Sequence, residues 1–220
     1  IGQAAFARYL RWLAARDHDA AVAAWSDYLA GYDEPSVLAP GADPVVRAQT
    51  RVGVEVLDAA TSAGLTDAAR AGGVTLNTLL SGALLLVTGR WTGRTDVAIG
   101  QTVAGRPPEL AGADSAIGMF LNTVPVRMTL RADETVADLM RRTQTDRLSL
   151  GKYDYLGLAS IQRSSPHRQL FDVLYVLQNF VDENQVSALN AAHDISGGDS
   201  IDLRLALGDC WRDVGRIAHD

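Results

Sequence analysis

The chain reads as a mixed α/β fold, a β-sheet with helices on at least one face, and three observations predict it. Apolar residues recur at helical spacing in two stretches: Ala21, Ala24, Trp25, Tyr28, Leu29, and then Leu76, Leu79, Leu80, Ala83, Leu84, Val87. Spacing of i, i+3, i+4, i+7 gathers such residues on one helix face. Apolar runs with strand character occupy 51–57, 95–103, 117–130, 170–180 and 201–207. After a helical start the order is β-α-α-β-β-α-β-β, and strands alternating with helices give a sheet covered by helices.

Each element has a local reason. Residues 3–16 form a helix with Phe6, Tyr9, Leu10 and Leu13 on one side. Asp17 is an N-cap for a second helix, which Gly31 closes. Pro35, Pro40, Gly41 and Pro44 make 32–47 a surface linker. Val52, Val54 and Val56 alternate as a strand. A helix over 60–72 ends at Gly72-Gly73, and Thr75 caps a long helix. That helix is apolar nearly all round, so it is expected to be buried against a sheet. A strand follows over 95–103. The segment 105–112, with Pro107-Pro108, is expected to be a mobile loop. Thr135 caps a helix carrying Val136, Leu139, Met140 and Thr143. Residues 149–168 read as irregular, with a short helix near 158–162. The run 170–180 is the strongest buried-strand candidate. Residues 1–220 are taken as a single domain: a helical entry over 1–31, the linker, an α/β core over 48–207 and a terminal helix over 208–220.

Composition excludes several functions. The formal net charge is −6 and the pI about 5.2, which disfavours nucleic acid or anionic membrane as the main partner. The lone cysteine, Cys210, allows no internal disulfide and no Cys-based zinc site. Residues 84–87 are an apolar run far short of the ~20 residues that span a bilayer. With no secretory pattern, the cytoplasm is the expected compartment. Lys152 is the only lysine among 20 basic residues, a hint of a GC-rich bacterial genome.

No catalytic motif stands out. Gly-x-Ser-x-Gly, Gly-x-Gly-x-x-Gly and P-loop patterns are absent. His18, His167, His193 and His219 form no metal-spaced pair, so no metal site is expected. His167 is the most interesting of the four, because it precedes the 170–180 run. Trp12, Trp25 and Trp91 read as core. Asp172 interrupts an apolar strand, either as a carboxylate paired at the strand start or as part of a site wall. Gln178-Asn179 ends that strand, in water or lining a channel.

Residues 117–127 (Ile-Gly-Met-Phe-Leu-Asn-Thr-Val-Pro-Val-Arg) are the most informative segment. An uncharged amide, Asn122, and a guanidinium, Arg127, sit within an apolar strand. Burying such groups unpaired costs about 1–3 kcal/mol each, so they face water, a cleft or a partner. Gly118 permits close backbone approach. Pro125 removes a ladder hydrogen bond and belongs at an edge. An edge strand lining a cleft accommodates all of these; an edge strand with its polar side in water is the alternative.

The pattern Ile117-Gly118-x-Phe120-x-Asn122-Thr123-x-Pro125-x-Arg127 resembles a signature of the condensation domains of nonribosomal peptide synthetases. Arg8-Tyr9-Leu10-x-Trp12-Leu13, Trp25-x-x-Tyr28-Leu29-Ala30-Gly31, Asp96-Val97-Ala98-Ile99-Gly100, Gly105-Arg106-Pro107 and Leu170-Phe171-Asp172-Val173 through Gln178-Asn179 agree in order. The resemblance covers roughly residues 5–180. It implies one lobe, the C-terminal one, of a chloramphenicol-acetyltransferase-like fold, in which two lobes enclose a tunnel. It further implies half of a bacterial peptide-bond-forming acyltransferase for antibiotic or other secondary metabolites. That enzyme transfers an aminoacyl or peptidyl group from one carrier-protein thioester to the amine on another. The family's His-His-x-x-x-Asp-Gly motif is absent, so no catalytic residue is expected in this chain. The tunnel wall would comprise Gly118, Met119, Phe120, Asn122, Thr123, Pro125 and Gln178, with Arg127 and Asp172 as lobe-interface or structural groups. Implied partners are the N-terminal lobe, donor and acceptor carrier proteins with their phosphopantetheine arms, and an adenylation domain; no cofactor is bound directly. Residues 152–158 depart from the His-Gln-x-x-Pro-Phe of many members. A non-catalytic docking module and an epimerisation-domain lobe are the alternatives.

Overall fold

The computed structural model describes residues 2–40, 51–107, 109–113, 116–178 and 202–207. The helices are α1 (Gly2–Ala14), α2 (His18–Leu29), α3 (Ala59–Gly72), α4 (Leu76–Thr92), α5 (Val136–Leu150) and α6 (Leu158–Arg163). The strands are β1 (Arg51–Val56), β2 (Asp96–Ala104), β3 (Leu121–Thr129), β4 (Leu174–Tyr175) and β5 (Asp202–Leu207), and a 3-10 turn spans Gly151–Tyr153. The chain divides into two compact units, Ile1–Val37 with Ser81–Val176, and Leu38–Leu80 with Leu177–Asp220.

Helix starts follow capping chemistry. The side chains of Asp17, Asp58 and Thr135 accept from the backbone N–H of Ala20, Thr61 and Asp138, and Thr75 Oγ accepts from Thr78 N. Each satisfies one of the donors that a helix leaves open at its N-terminus. α3 ends on Gly73 at φ +70°, a left-handed cap that favours glycine.

The first unit holds a three-stranded mixed sheet in the order β3-β2-β4. β2 and β3 are antiparallel, from Asp96↔Thr129 to Ala104↔Leu121; β2 and β4 are parallel through Gly100↔Leu174 and Gln101↔Tyr175. Trp25, Leu29, Tyr32, Leu150, Leu156, Ile161, Leu170 and Phe171 pack with Ala98 and Val124 into one core. In the second unit β1 and β5 pair antiparallel, Arg51↔Leu207 to Val56↔Asp202.

Four expectations change. The buried face of α4 is Ser81, Gly82, Leu85, Thr88 and Gly89, whereas Val87 is exposed. Small residues win that face because the backbone comes close: a Cβ at Gly82 would run into Met140, and one at Gly89 would lie 2.9 Å from the Arg94 carbonyl oxygen. The first part of the expected linker is core. Tyr32 and Ser36 are buried, and Ser36 bridges Phe171 while its Oγ accepts from Ala98 N. Residues 41–47 of that linker lie outside the described residues. In the loop after β2, of which Pro108 lies outside the described residues, one side chain is tied down. Arg106 donates to the carbonyls of Ala113 and Ala116 and covers the Phe120 ring at 4.2 Å. Finally, among the described residues the 170–180 run contributes the two residues of β4. Phe171, Val173 and Tyr175 are buried while Asp172, Leu174 and Val176 are exposed, so a run that reads as wholly buried is covered on one face. Asn179, Phe180 and the terminal helix lie outside the described residues, as do His193, Cys210, Trp211 and His219.

Candidate functional site

β3 is an edge strand of its sheet, and its first residues carry the polar groups singled out by sequence. Asn122 is half-buried. Its Nδ2 donates to the carbonyls of Asp154 at 2.7 Å and Leu156 at 2.8 Å. Both N–H donors of that amide are therefore committed within the chain. For anything outside, the amide retains only an acceptor.

The receiving segment is fixed from several sides. Trp25 Nε1 donates to Tyr153 O at 3.3 Å, Tyr155 OH donates to Asp17 O at 2.8 Å, and Leu156 is buried. Arg147 on α5 pairs with Asp154 Oδ2 at 2.5 Å, both side chains largely buried. Asp154 Oδ1 is sealed from solvent with no hydrogen-bond partner among the described residues. Burial pushes the Asp154 carboxyl pKa upward, opposed by Arg147. An unsatisfied buried acceptor costs about 1–3 kcal/mol, so this turn is expensive for what it contributes to stability.

Arg127 faces inward. Its Nε and Nη2 donate to Asp96 Oδ1 and Oδ2 at 2.8 and 2.6 Å. Its Nη1 donates to the carbonyls of Tyr28 and Ala30, both at 2.9 Å, at the end of α2. Its backbone N–H donates to Tyr28 OH at 2.6 Å, so a phenol from α2 occupies part of the free edge of β3. Burial pushes the Tyr28 pKa to about 12. The hydrogen bonds it donates to the Asp96 carboxylate hold the pKa of the Arg127 guanidinium above its ordinary value. The acidic partner of Arg127 is thus Asp96 of the neighbouring strand. Its diagonal position, two residues from the Ala98↔Arg127 pair, is the signal that sequence reading missed. Tyr28, Tyr32, Arg147 and Asp154 were missed as well, because their roles arise from contacts distant in sequence.

Ahead of β3 the side chains alternate. Ile117, Met119 and Leu121 are 82%, 78% and 53% exposed, while Phe120 is 5% exposed. Phe120 packs with Tyr9 and Phe6. A Cβ at Gly118 would run into the Phe6 ring, so glycine there lets the loop lie on α1. Gly118→Val is expected to destabilise the chain by roughly 1–3 kcal/mol through overpacking, read as a lower urea midpoint at unchanged slope. The chain thus brings Gly118, Met119, Phe120, Asn122 and Thr123 together. Pro125 lies nearly free of solvent contact. Asp172 is exposed, with its backbone N–H on Ser36 O at 3.3 Å. Gln178 is exposed and belongs to the second unit.

His167 Nε2 lies 3.0 Å from the Tyr32 carbonyl oxygen, and His18 is exposed. Among the described residues no group of His, Cys, Asp or Glu is arranged to hold a metal. Among them, too, no single helix is long and apolar enough to cross a membrane.

The family model described as "Condensation domain" matches residues 2–202. The chain is 36% identical over 182 residues to one protein of the linear gramicidin synthase of Brevibacillus parabrevis, covering 80% of this chain and 2% of that protein. It is 32% identical over 193 residues to one protein of the mycosubtilin synthase of Bacillus subtilis, covering 86% of this chain and 7% of that one. The chain therefore spans a small fraction of these relatives. Among solved structures, the first condensation domain of the calcium-dependent antibiotic synthetase, in complex with substrate analogue 2a, superposes with a TM-score of 0.67. It shares 19% identity over 92% of this chain and 43% of that one, which bears on fold alone. The X-domain from teicoplanin biosynthesis gives 0.64 at 24% identity, covering 77% of this chain and 41% of that one. Matched by the family model along most of its length, the chain belongs to the condensation-domain family of nonribosomal peptide synthetases.

Proposed function

We propose that this chain is the C-terminal lobe of a peptide-bond-forming condensation domain, one wall of a chamber whose proton-handling group is supplied by an N-terminal lobe. Donor and acceptor carrier proteins would present their phosphopantetheine-bound substrates to that chamber, next to an adenylation domain. The observation that carries the reading is the entry to β3. There a solvent-exposed apolar ridge, Ile117, Met119 and Leu121, runs directly into the amide of Asn122, which is locked by two hydrogen bonds. A ridge of that kind is a surface for another body, and a locked amide beside it is a rigid reference point.

Amide formation needs an amine aligned on a thioester carbonyl, and alignment alone supplies about 7–11 kcal/mol of barrier reduction. An oxyanion donor supplies roughly 3–4 kcal/mol. With its donors committed, Asn122 serves the first task and not the second. Gly118, Met119, Asn122 and Thr123 form the wall in this reading; Phe120 supports it from below, and Arg127 and Asp172 are structural.

The test is reconstitution. A complete condensation domain containing this chain, given a donor carrier thioester and an acceptor amine, is expected to form the amide, and this chain alone is not. Turnover by the chain alone overturns the reading. A complete domain that binds carrier protein but forms no amide favours the docking module. In that complete domain Asn122→Ala is expected to lower the amide-forming rate by about 10-fold or more, since misplacement by 1 Å costs on the order of 100-fold. An unchanged rate removes Asn122 from the wall.

A further inference from the structure

We propose that Arg147 and Asp154 are positioning residues for condensation, holding residues 153–156 as the seat on which the Asn122 end of β3 is aligned; this rests on the wall reading above. The same residue, Asp154, receives Asn122 on its backbone carbonyl and Arg147 on its carboxylate. A guanidinium on α5 is thereby linked to the amide on β3 through one residue of a turn. The carbonyls of Tyr153, Asp154 and Leu156 each accept from a side chain of another element, and Tyr155 reaches the cap residue of α2. A turn held this way has one conformation.

The energetics do not explain the device as a stabiliser. An ion pair removed from water returns little net stability and is often improved by apolar replacement. Here one carboxylate oxygen is also left sealed and without a partner among the described residues. What such a pair provides is a fixed position, as the supporting contacts of a functional site must.

The pair is tested in a complete condensation domain with an aminoacyl N-acetylcysteamine thioester as acceptor, using Arg147→Ala, Asn122→Ser, the double variant and Arg147→Lys. Each of the first two is expected to lower kcat about 10-fold with KM for the acceptor little changed. The double variant is expected to be no slower than the slower single one, because both act through one turn. Arg147→Lys, which keeps a cation within reach, is expected to recover most of the rate. Losses that multiply in the double variant, a change confined to KM, or no recovery with lysine would overturn the proposal. Should Arg147→Ala not fold in that setting, NMR of the 220-residue chain decides through Arg147→Met, which keeps the length of the side chain and removes its charge. The Asn122 side-chain NH2 signals are expected to exchange with solvent faster in that variant than in the wild type. Exchange as slow as in the wild type refutes the linkage. If the wild-type domain makes no amide at all, the proposed function falls, while the NMR comparison still decides whether Arg147 holds Asn122.

Discussion

Arg127→Ala is expected to destabilise the first unit by roughly 3–5 kcal/mol, the range for removing one partner of a largely buried ion pair. The Arg127 and Asp96 side chains are only 14% and 28% exposed. Removing the guanidinium leaves Asp96 with Thr129 Oγ at 3.3 Å as its remaining side-chain donor. It also strips the Tyr28 and Ala30 carbonyls of a donor they share, just where a helix leaves its carbonyls open. The 5.3 Å contact of the guanidinium with the Tyr32 ring is lost too. Arg127→Lys is expected to recover less than half of the loss, since an ammonium cannot match the two-pronged geometry on Asp96 while also reaching α2. Urea unfolding followed by circular dichroism checks both. A loss below about 1 kcal/mol, the value of a surface pair, would mean that water readily replaces the network.

Trp25→Ala is expected to have a comparable effect, about 3–5 kcal/mol, the usual range for truncating a large buried aromatic. Trp25 is fully buried at the centre of the core shared by α2, α6 and the sheet. Its ring meets Tyr28 edge to face at 5.8 Å, and its Nε1 holds the Tyr153 carbonyl. Trp25→Phe keeps much of the volume and loses that hydrogen bond, so it is expected to cost distinctly less. Equal losses for the two variants would place the weight on the hydrogen bond rather than on packing. Total stability of a domain is typically about 5–15 kcal/mol, so either alanine variant consumes a large part of it.

Much of the fold was legible because its signals are local. Asp17, Thr75 and Thr135 stand where capping chemistry puts them, and the strand-like runs 51–57, 95–103 and 117–130 each contain a strand, the last of them starting only at Leu121. Pro125 and the polar groups of 117–127 marked an edge strand, and β3 is one. The failures share one cause. On α4 the leucine stripe was the stronger periodic signal, yet close backbone approach put Ser81, Gly82, Thr88 and Gly89 on the buried face beside Leu85. Tyr32 and Ser36 sat among prolines and read as linker, and only their bonds to Leu170 and Ala98 made them core.

The sequence by itself determined the family and the order of elements, and it marked out the segment 117–127, because motif, cap and periodicity are written in neighbouring residues. Which polar atoms of that segment remain open to an outside partner was decided by tertiary structure alone. Asn122 meets Asp154 and Leu156 across more than thirty residues, and Arg127 meets α2 across nearly a hundred. A hydrogen-bond donor is free or committed according to what folding brings within 3 Å of it, and that distance has no counterpart in the order of residues along the chain.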